Sequence, residues 1–177
     1  GTNDELIQFN VIPNSIVAYG TEIGLRREWR SGWMVSAYYG YNQSRFLKDN
    51  RVATLLTLER DPNVRHVANS PKHAATLKGV AAFLVRGLSL GTRITLEDGR
   101  WDRYEQVDGP QQRKTQPAVF WDLVLTAEDA RSRVRGSFGV YNLFDWRCQY
   151  PLGSEYGTAR TISSRGRTLL TSLETRF

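Results

Sequence analysis

The feature that most constrains this chain is a hydrophobic period of two that returns in segment after segment, while no stretch carries a helical period. From Val17 to Trp29 the odd positions are Val17, Tyr19, Thr21, Ile23, Leu25, Arg27 and Trp29, and the even ones are Ala18, Gly20, Glu22, Gly24, Arg26 and Glu28. Successive side chains of a strand point to opposite faces, so one face is apolar and aromatic and the other small or charged. The pattern resumes after Arg30–Ser31–Gly32 at Trp33, Val35, Ala37, Tyr39 and Tyr41, which predicts a hairpin turning around Ser31 and Gly32.

The same device recurs twice. Leu77, Ala81, Phe83 and Val85 turn at Arg86 and Gly87 into Leu88, Leu90, Thr92, Ile94 and Leu96. Val119, Trp121, Leu123 and Leu125 turn through Glu128 to Arg131 into Val134, Phe138 and Val140. With Leu6 to Ile12 and the last segment this makes about eight antiparallel strands of about 11 to 14 residues, longer than the usual globular strand of about five or six.

The connections alternate in length. Those after Trp29, Val85 and Ala127 are short, whereas Phe46 to Pro71, Asp98 to Gln116 and Phe144 to Arg165 are long and polar. Short turns at one end, long links at the other and aromatics such as Tyr19, Trp29, Trp33, Tyr41 and Trp121 near the strand ends are the pattern of a transmembrane β-barrel. Strands can cross lipid only in a closed barrel, where every backbone group is paired. The expected faces put Glu22, Arg26, Arg93, Asp122, Arg133, Arg135 and Glu174 in the lumen. Leu169, Thr171, Leu173, Thr175 and Phe177 face lipid.

Composition narrows the alternatives. No apolar run approaches the roughly 18 residues of a membrane helix, so a helical membrane protein is excluded. Net charge is +6 and the isoelectric point about 9.7, yet basic and acidic residues are interspersed and form no run, which argues against nucleic acid as a partner. Cys148, the one cysteine, forms no internal disulfide or metal motif. His66 and His73 have no neighbouring ligands in sequence, and neither a cofactor nor an enzymatic activity is expected. The opening residues Gly1 to Asn10 carry no secretory signal, which leaves an intracellular protein or a processed piece of a longer one.

Four segments resemble motifs of TonB-dependent outer-membrane receptors, in that family's order. Ala18 to Arg45, "AYGTEIGLRREWRSGWMVSAYYGYNQSR", resembles its Tyr-Gly-x-Glu hairpin, with Gly20 and Glu22 at the matching positions. "NSPKHAATLKG" (Asn69 to Gly79) resembles the Asn-x-Pro-x-His start of a later strand. "VYNLFDWR" (Val140 to Arg147) is similar to the Asn-Leu-Phe-Asp end of the penultimate strand, and "GRTLLTSLETRF" (Gly166 to Phe177) to the final strand. The resemblance implies that residues 1–177 are the C-terminal part, about the last eight strands, of a barrel of about 22 strands with a plugged lumen. Such a receptor sits in the outer membrane of a Gram-negative bacterium and imports a scarce nutrient such as a ferric siderophore or cobalamin. TonB drives it through a plug domain not found in this sequence.

In that family the last strand and its terminal aromatic are read by the barrel assembly machinery, which implies an assembly signal at Leu173 and Phe177. The links offer ligand-contact candidates by composition: Trp101, Arg103 and Tyr104 in one, and Trp146, Arg147 and Tyr150 in another, mix aromatics with Arg as contact with an anionic, aromatic ligand would need. Two further readings stay open. One is a complete eight-stranded outer-membrane barrel with a structural or adhesive role. The other is a soluble β-barrel with its apolar face inward around a small ligand.

Overall fold

A computed structural model describes residues 16–46, 69–83, 87–106, 109–129, 133–152 and 161–175. Leu6 to Ile12, Arg176 and Phe177 lie outside them. The described chain is all β, without helix. Seven strands, β1 (Ile16–Glu28), β2 (Met34–Phe46), β3 (His73–Ala82), β4 (Leu88–Glu97), β7 (Ala118–Asp129), β8 (Val134–Tyr141) and β11 (Thr168–Thr175), form one antiparallel sheet in that order. Two short hairpins stand apart from it, β5 (Trp101–Gln106) with β6 (Gly109–Lys114) and β9 (Gln149–Pro151) with β10 (Thr161–Ser163). No sheet closes among the described residues, and β1 and β11 are the edges of the large one.

Every predicted strand that falls in the described region is present. The large sheet's strands run from 8 to 13 residues, so β3 and β4 are slightly shorter and β8 and β11 clearly shorter than the periodicity suggests. Two links read from sequence as loops each contain a hairpin instead. Both sides of the β5–β6 hairpin are polar, so it lacks the amphipathic signal that marks a strand packed on one face.

The registers carry one apolar face across all seven strands. Ile23 pairs with Tyr39, Ala37 with Leu77, Leu77 with Ile94, Ile94 with Trp121, Leu125 with Phe138 and Phe138 with Thr171. The opposite face runs through Arg26 and Ser36, Ser36 and Lys78, Lys78 and Arg93, Arg93 and Asp122, Ser137 and Ser172. A slip of one residue anywhere would swap the two faces, and none occurs.

Short turns join β1 to β2, β3 to β4 and β7 to β8, and since neighbours are antiparallel all three lie at one end of the sheet. The first closes by bonds between Trp29 and Trp33 and from the Gly32 amide to the Trp29 carbonyl, with Gly32 at φ 86°. Gly87, at φ 82°, holds the second against the Glu128 backbone, where a Cβ would strike the Glu128 carbonyl oxygen, so only glycine fits. The three long links are all at the other end. Among the described residues the buried hydrophobics are only Ala118 and Cys148, both at that end. Among the described residues neither face of the sheet carries a packed core.

Candidate functional site

Among the described residues a network of buried polar contacts gathers where β4, β7 and β8 meet the long links, and Asn142 is its centre. Asn142 follows β8 in the left-handed region at φ 54°, which Asn tolerates better than most residues. It is 5% exposed. Its Nδ2 donates to the carbonyls of Trp146 (2.9 Å) and Arg165 (3.0 Å), and its Oδ1 accepts from the Trp146 amide at 2.9 Å. One side chain thereby satisfies three backbone groups of the link and ties its beginning to its end.

Asp122, 7% exposed, joins this hub to the sheet. Its Oδ1 accepts from the Asn142 amide at 2.9 Å, and its Oδ2 accepts from Arg93 Nε at 2.9 Å and from a terminal guanidinium nitrogen at 2.6 Å. Asp145 supports the return of the chain to β11. Its Oδ1 accepts from the Arg167 amide at 2.7 Å, and Arg147 lies 3.4 Å from Oδ2. The amide bond from Arg167, followed by the charge of Arg147, holds the Asp145 carboxyl below the ordinary carboxylate range.

A second set of contacts draws the links together. Arg100 pairs with Glu97 at 2.7 Å, donates to the Asn69 carbonyl and side-chain oxygens at 3.1 Å each, and stacks its guanidinium 5.0 Å from the Tyr150 ring centre. Burial works against the charge of Asp98, but the Lys114 ammonium at 2.7 Å and the Gly99 amide at 2.8 Å outweigh it, so this carboxyl too is held low. Burial, then a hydrogen bond with Cys148, pushes the Tyr150 phenol above its ordinary value.

Among the described residues the links reach over the link end of the polar face from β4 to β11 and leave most of the apolar face exposed, apart from Phe144, whose ring meets Trp121 edge-on at 5.7 Å. Tyr150, Ser164, Arg165 and Gly166 come over Arg93, Asp122 and their polar-face neighbours and border an open cavity of about 650 Å³. Its wall combines guanidinium groups, hydroxyls and the rings of Phe120, Tyr141 and Tyr150, a surface able to hold a small molecule bearing negative charge and flat apolar groups. Among the described residues no group of His, Cys, Asp and Glu could hold a metal ion.

Of the residues singled out in sequence, Arg93 and Asp122 meet directly. Arg135 lies opposite Glu174 on one side and Glu128 on the other. Glu22 and Arg26 are exposed on the polar side of β1, Arg26 paired with Glu28. Arg133 is not on a strand face: it sits in the turn before β8 at φ 53°, because the short connection there needs a left-handed residue. Leu173 is on the apolar face, 75% exposed.

Among the link candidates, Tyr150 lines the cavity, Trp146 donates from its indole to the Pro117 carbonyl at 3.1 Å, and Arg147 serves Asp145. Trp101 lies in β5, its carbonyl accepting from the Asn69 amide at 2.9 Å. Arg103 and Tyr104 belong to β5 by backbone, and their side chains lie outside the described residues.

Asn142, Arg100 and Arg165 carry more of this site than the sequence reading gave them. Asn142 stood inside a quoted motif, where its signal was an Asn directly after an alternating strand, the mark of a left-handed turn. Arg100 and Arg165 carry no such signal. Comparison of the chain with protein-family models, with curated proteins and with solved structures gave no match.

Proposed function

We propose that the chain is a wall of a TonB-dependent receptor barrel in the outer membrane, its apolar face toward lipid and its polar face toward the lumen through which a scarce nutrient passes. The observation that carries this reading is a one-sided cover among the described residues: the link between β8 and β11 comes over Arg93 and Asp122, while large apolar side chains stay exposed on the opposite face of all seven strands. A soluble barrel with its apolar face inward would have the opposite arrangement.

Magnitudes favour lipid on the bare side. Seven strands at about 4.8 Å spacing span about 29 Å. Over an apolar band about 25 Å tall that is about 700 Å², more than the roughly 300–600 Å² of the largest patch on a soluble monomer. Left in water it would forgo about 18 kcal/mol, against a typical net stability of about 5–15 kcal/mol. The band also has the expected height. Tyr19 in β1 and Trp29 just after it, at the two ends of the band, are separated by about 34 Å at about 3.4 Å per residue, which at a tilt near 40° is about 26 Å across the bilayer.

In this reading the open edges at β1 and β11 pair with further strands of the same barrel, since unpaired edges are not stable in lipid. The 650 Å³ cavity faces the lumen, where Arg93, Arg165 and Tyr150 meet either the imported ligand or a plug. The test is single-cysteine labelling of the native protein in cells. Cysteines at Leu25, Leu77, Leu125 and Leu169 should be quenched by a lipid-soluble probe, and those at Ser36, Thr95 and Ser137 only by a water-soluble one. Polar-face cysteines open to the water-soluble probe with apolar-face cysteines shielded from both probes would establish the soluble, apolar-inward barrel, and uniform aqueous access would exclude any membrane role.

A further inference from the structure

The last pairing of the large sheet, β8 with β11, is only half specified by the strands themselves. Side chains alternate with a period of two, so a slip of one residue would swap the faces, but a slip of two keeps every side chain on its own side. Slipped one way, Leu170 would come opposite Tyr141 and Leu173 opposite Phe138. Slipped the other way, Leu170 would meet Ser137 and Leu169 would meet Phe138. A tight turn does not set the register here either, because residues 142–167 lie between the two strands.

Two side chains just past β8 grip the chain where it enters β11. Asn142 Nδ2 donates to the Arg165 carbonyl at 3.0 Å, and Asp145 Oδ1 accepts from the Arg167 amide at 2.7 Å. Gly166, between them, lies hard against the grip: a Cβ there would stand 2.6 Å from that same carboxylate oxygen. The Asp145 amide donates to the Asn142 carbonyl at 2.9 Å, so both residues belong to one small turn, and the Asn142 amide fixes that turn to Asp122 of β7. A slip of two would carry residues 165–167 about 7 Å along β8, far beyond the roughly 3 Å of a hydrogen bond. Within the strands the Ser137–Ser172 hydroxyl contact, at 2.7 Å, and Arg135 opposite Glu174 favour the same register.

We propose that Asn142, Asp145 and Gly166 form a register clasp, which selects the observed stagger of β11 on β8 from the pairings that keep both faces. A closed barrel of given strand number needs one fixed stagger, so a slip of two would put any strand on the other edge of β11 out of step.

The experiment traps the register by oxidising paired cysteines in the folded native protein in cells. Ser137→Cys with Ser172→Cys reports the observed pairing. Leu170→Cys with Ser137→Cys, and Leu170→Cys with Tyr141→Cys, report the two slips. With the clasp intact the first pair should cross-link and the other two stay near background. Asn142→Gly and Asp145→Gly each remove one bond to the incoming chain, and glycine takes the left-handed backbone of both positions without strain. Cross-linking of the slipped pairs relative to the native pair should rise about fivefold with Asn142→Gly and about 25-fold with both, from the ordinary worth of a hydrogen bond. Lys114→Ala, which breaks the ion pair to Asp98 in another link, should leave the ratio unchanged.

The unmodified protein supplies a check that needs no variant: the Arg167 amide, one residue before β11, should exchange with deuterium more slowly than in an unfolded chain. Slipped pairs that cross-link as readily with the clasp intact, a ratio unmoved in the double variant, an equal rise with Lys114→Ala, or an unprotected Arg167 amide overturns the clasp. Because a slip of two keeps both faces, apolar-face cysteines shielded from both probes or open to water would overturn the membrane orientation and leave the clasp standing.

Discussion

The hairpin of β1 and β2 and the hub around Asn142 are built on opposite principles. From Ala18 to Gly32 every residue of the hairpin is exposed, and its shape comes from thirteen paired positions and a glycine turn. Around Asn142, polar groups hold irregular backbone through the side chains of Arg93, Asp122 and Asn142, the last reaching both ends of a link. The first region is specified locally and waits for an environment to cover it. The second carries its own interior, made of hydrogen bonds rather than apolar packing.

Four experiments test that contrast, taken from the largest effect to the smallest. Leu25→Arg in the middle of the apolar face should cost about 2–4 kcal/mol in the bilayer, while Ser36→Arg on the polar face should cost under about 1 kcal/mol. Unfolding of the protein from lipid vesicles by denaturant measures both, and equal losses would remove the distinction between faces. Asn142→Ala should cost about 2–3 kcal/mol, because three backbone groups lose their partner in a buried place and alanine is strained in the left-handed region. The loss should appear together with faster proteolysis between residues 144 and 166.

A double-mutant cycle of Arg93→Ala and Asp122→Ala should give a coupling of about 1 kcal/mol. Asp122 is nearly enclosed but the Arg93 side chain is 50% exposed, so water screens the pair. The smallest effect is one of pH. The folded-state pKa of Asp145 is depressed, so its contribution is full above the ordinary carboxylate value of about 3.9 and is lost as pH falls through the lower folded value. Cleavage of the link, by an acid-active protease in acid and a neutral-active one at neutral pH, each scaled to an unstructured control peptide, should therefore rise at the acid end of that window in the unmodified protein. Asp145→Asn should show the faster cleavage already at neutral pH and little further change.

Much of the large sheet was legible because alternation is a local signal. A strand with one wet and one dry face repeats every two residues whatever its neighbours, so Ile23, Leu25, Val35 and Leu77 fall on one side before any register is known. Gly32 and Gly87 likewise mark turns by their freedom to take positive φ. The links were not legible to the same degree. In the β5–β6 hairpin neither side is apolar, so no period announces it, and Arg133 looked like the next alternating residue although the turn claims it.

The sequence by itself determined the all-β class, the two faces, the turn positions and the end at which long links gather, since each follows from contacts between near neighbours or from a repeat. Only the tertiary structure decided that Arg93 meets Asp122 across 29 residues, that Asn142 joins Trp146 to Arg165, and that Arg100 binds Asn69 and stacks on Tyr150. Those partners are single polar residues far apart in the chain. Their meeting depends on where three separate links return over the sheet, and neither period nor composition carries that information.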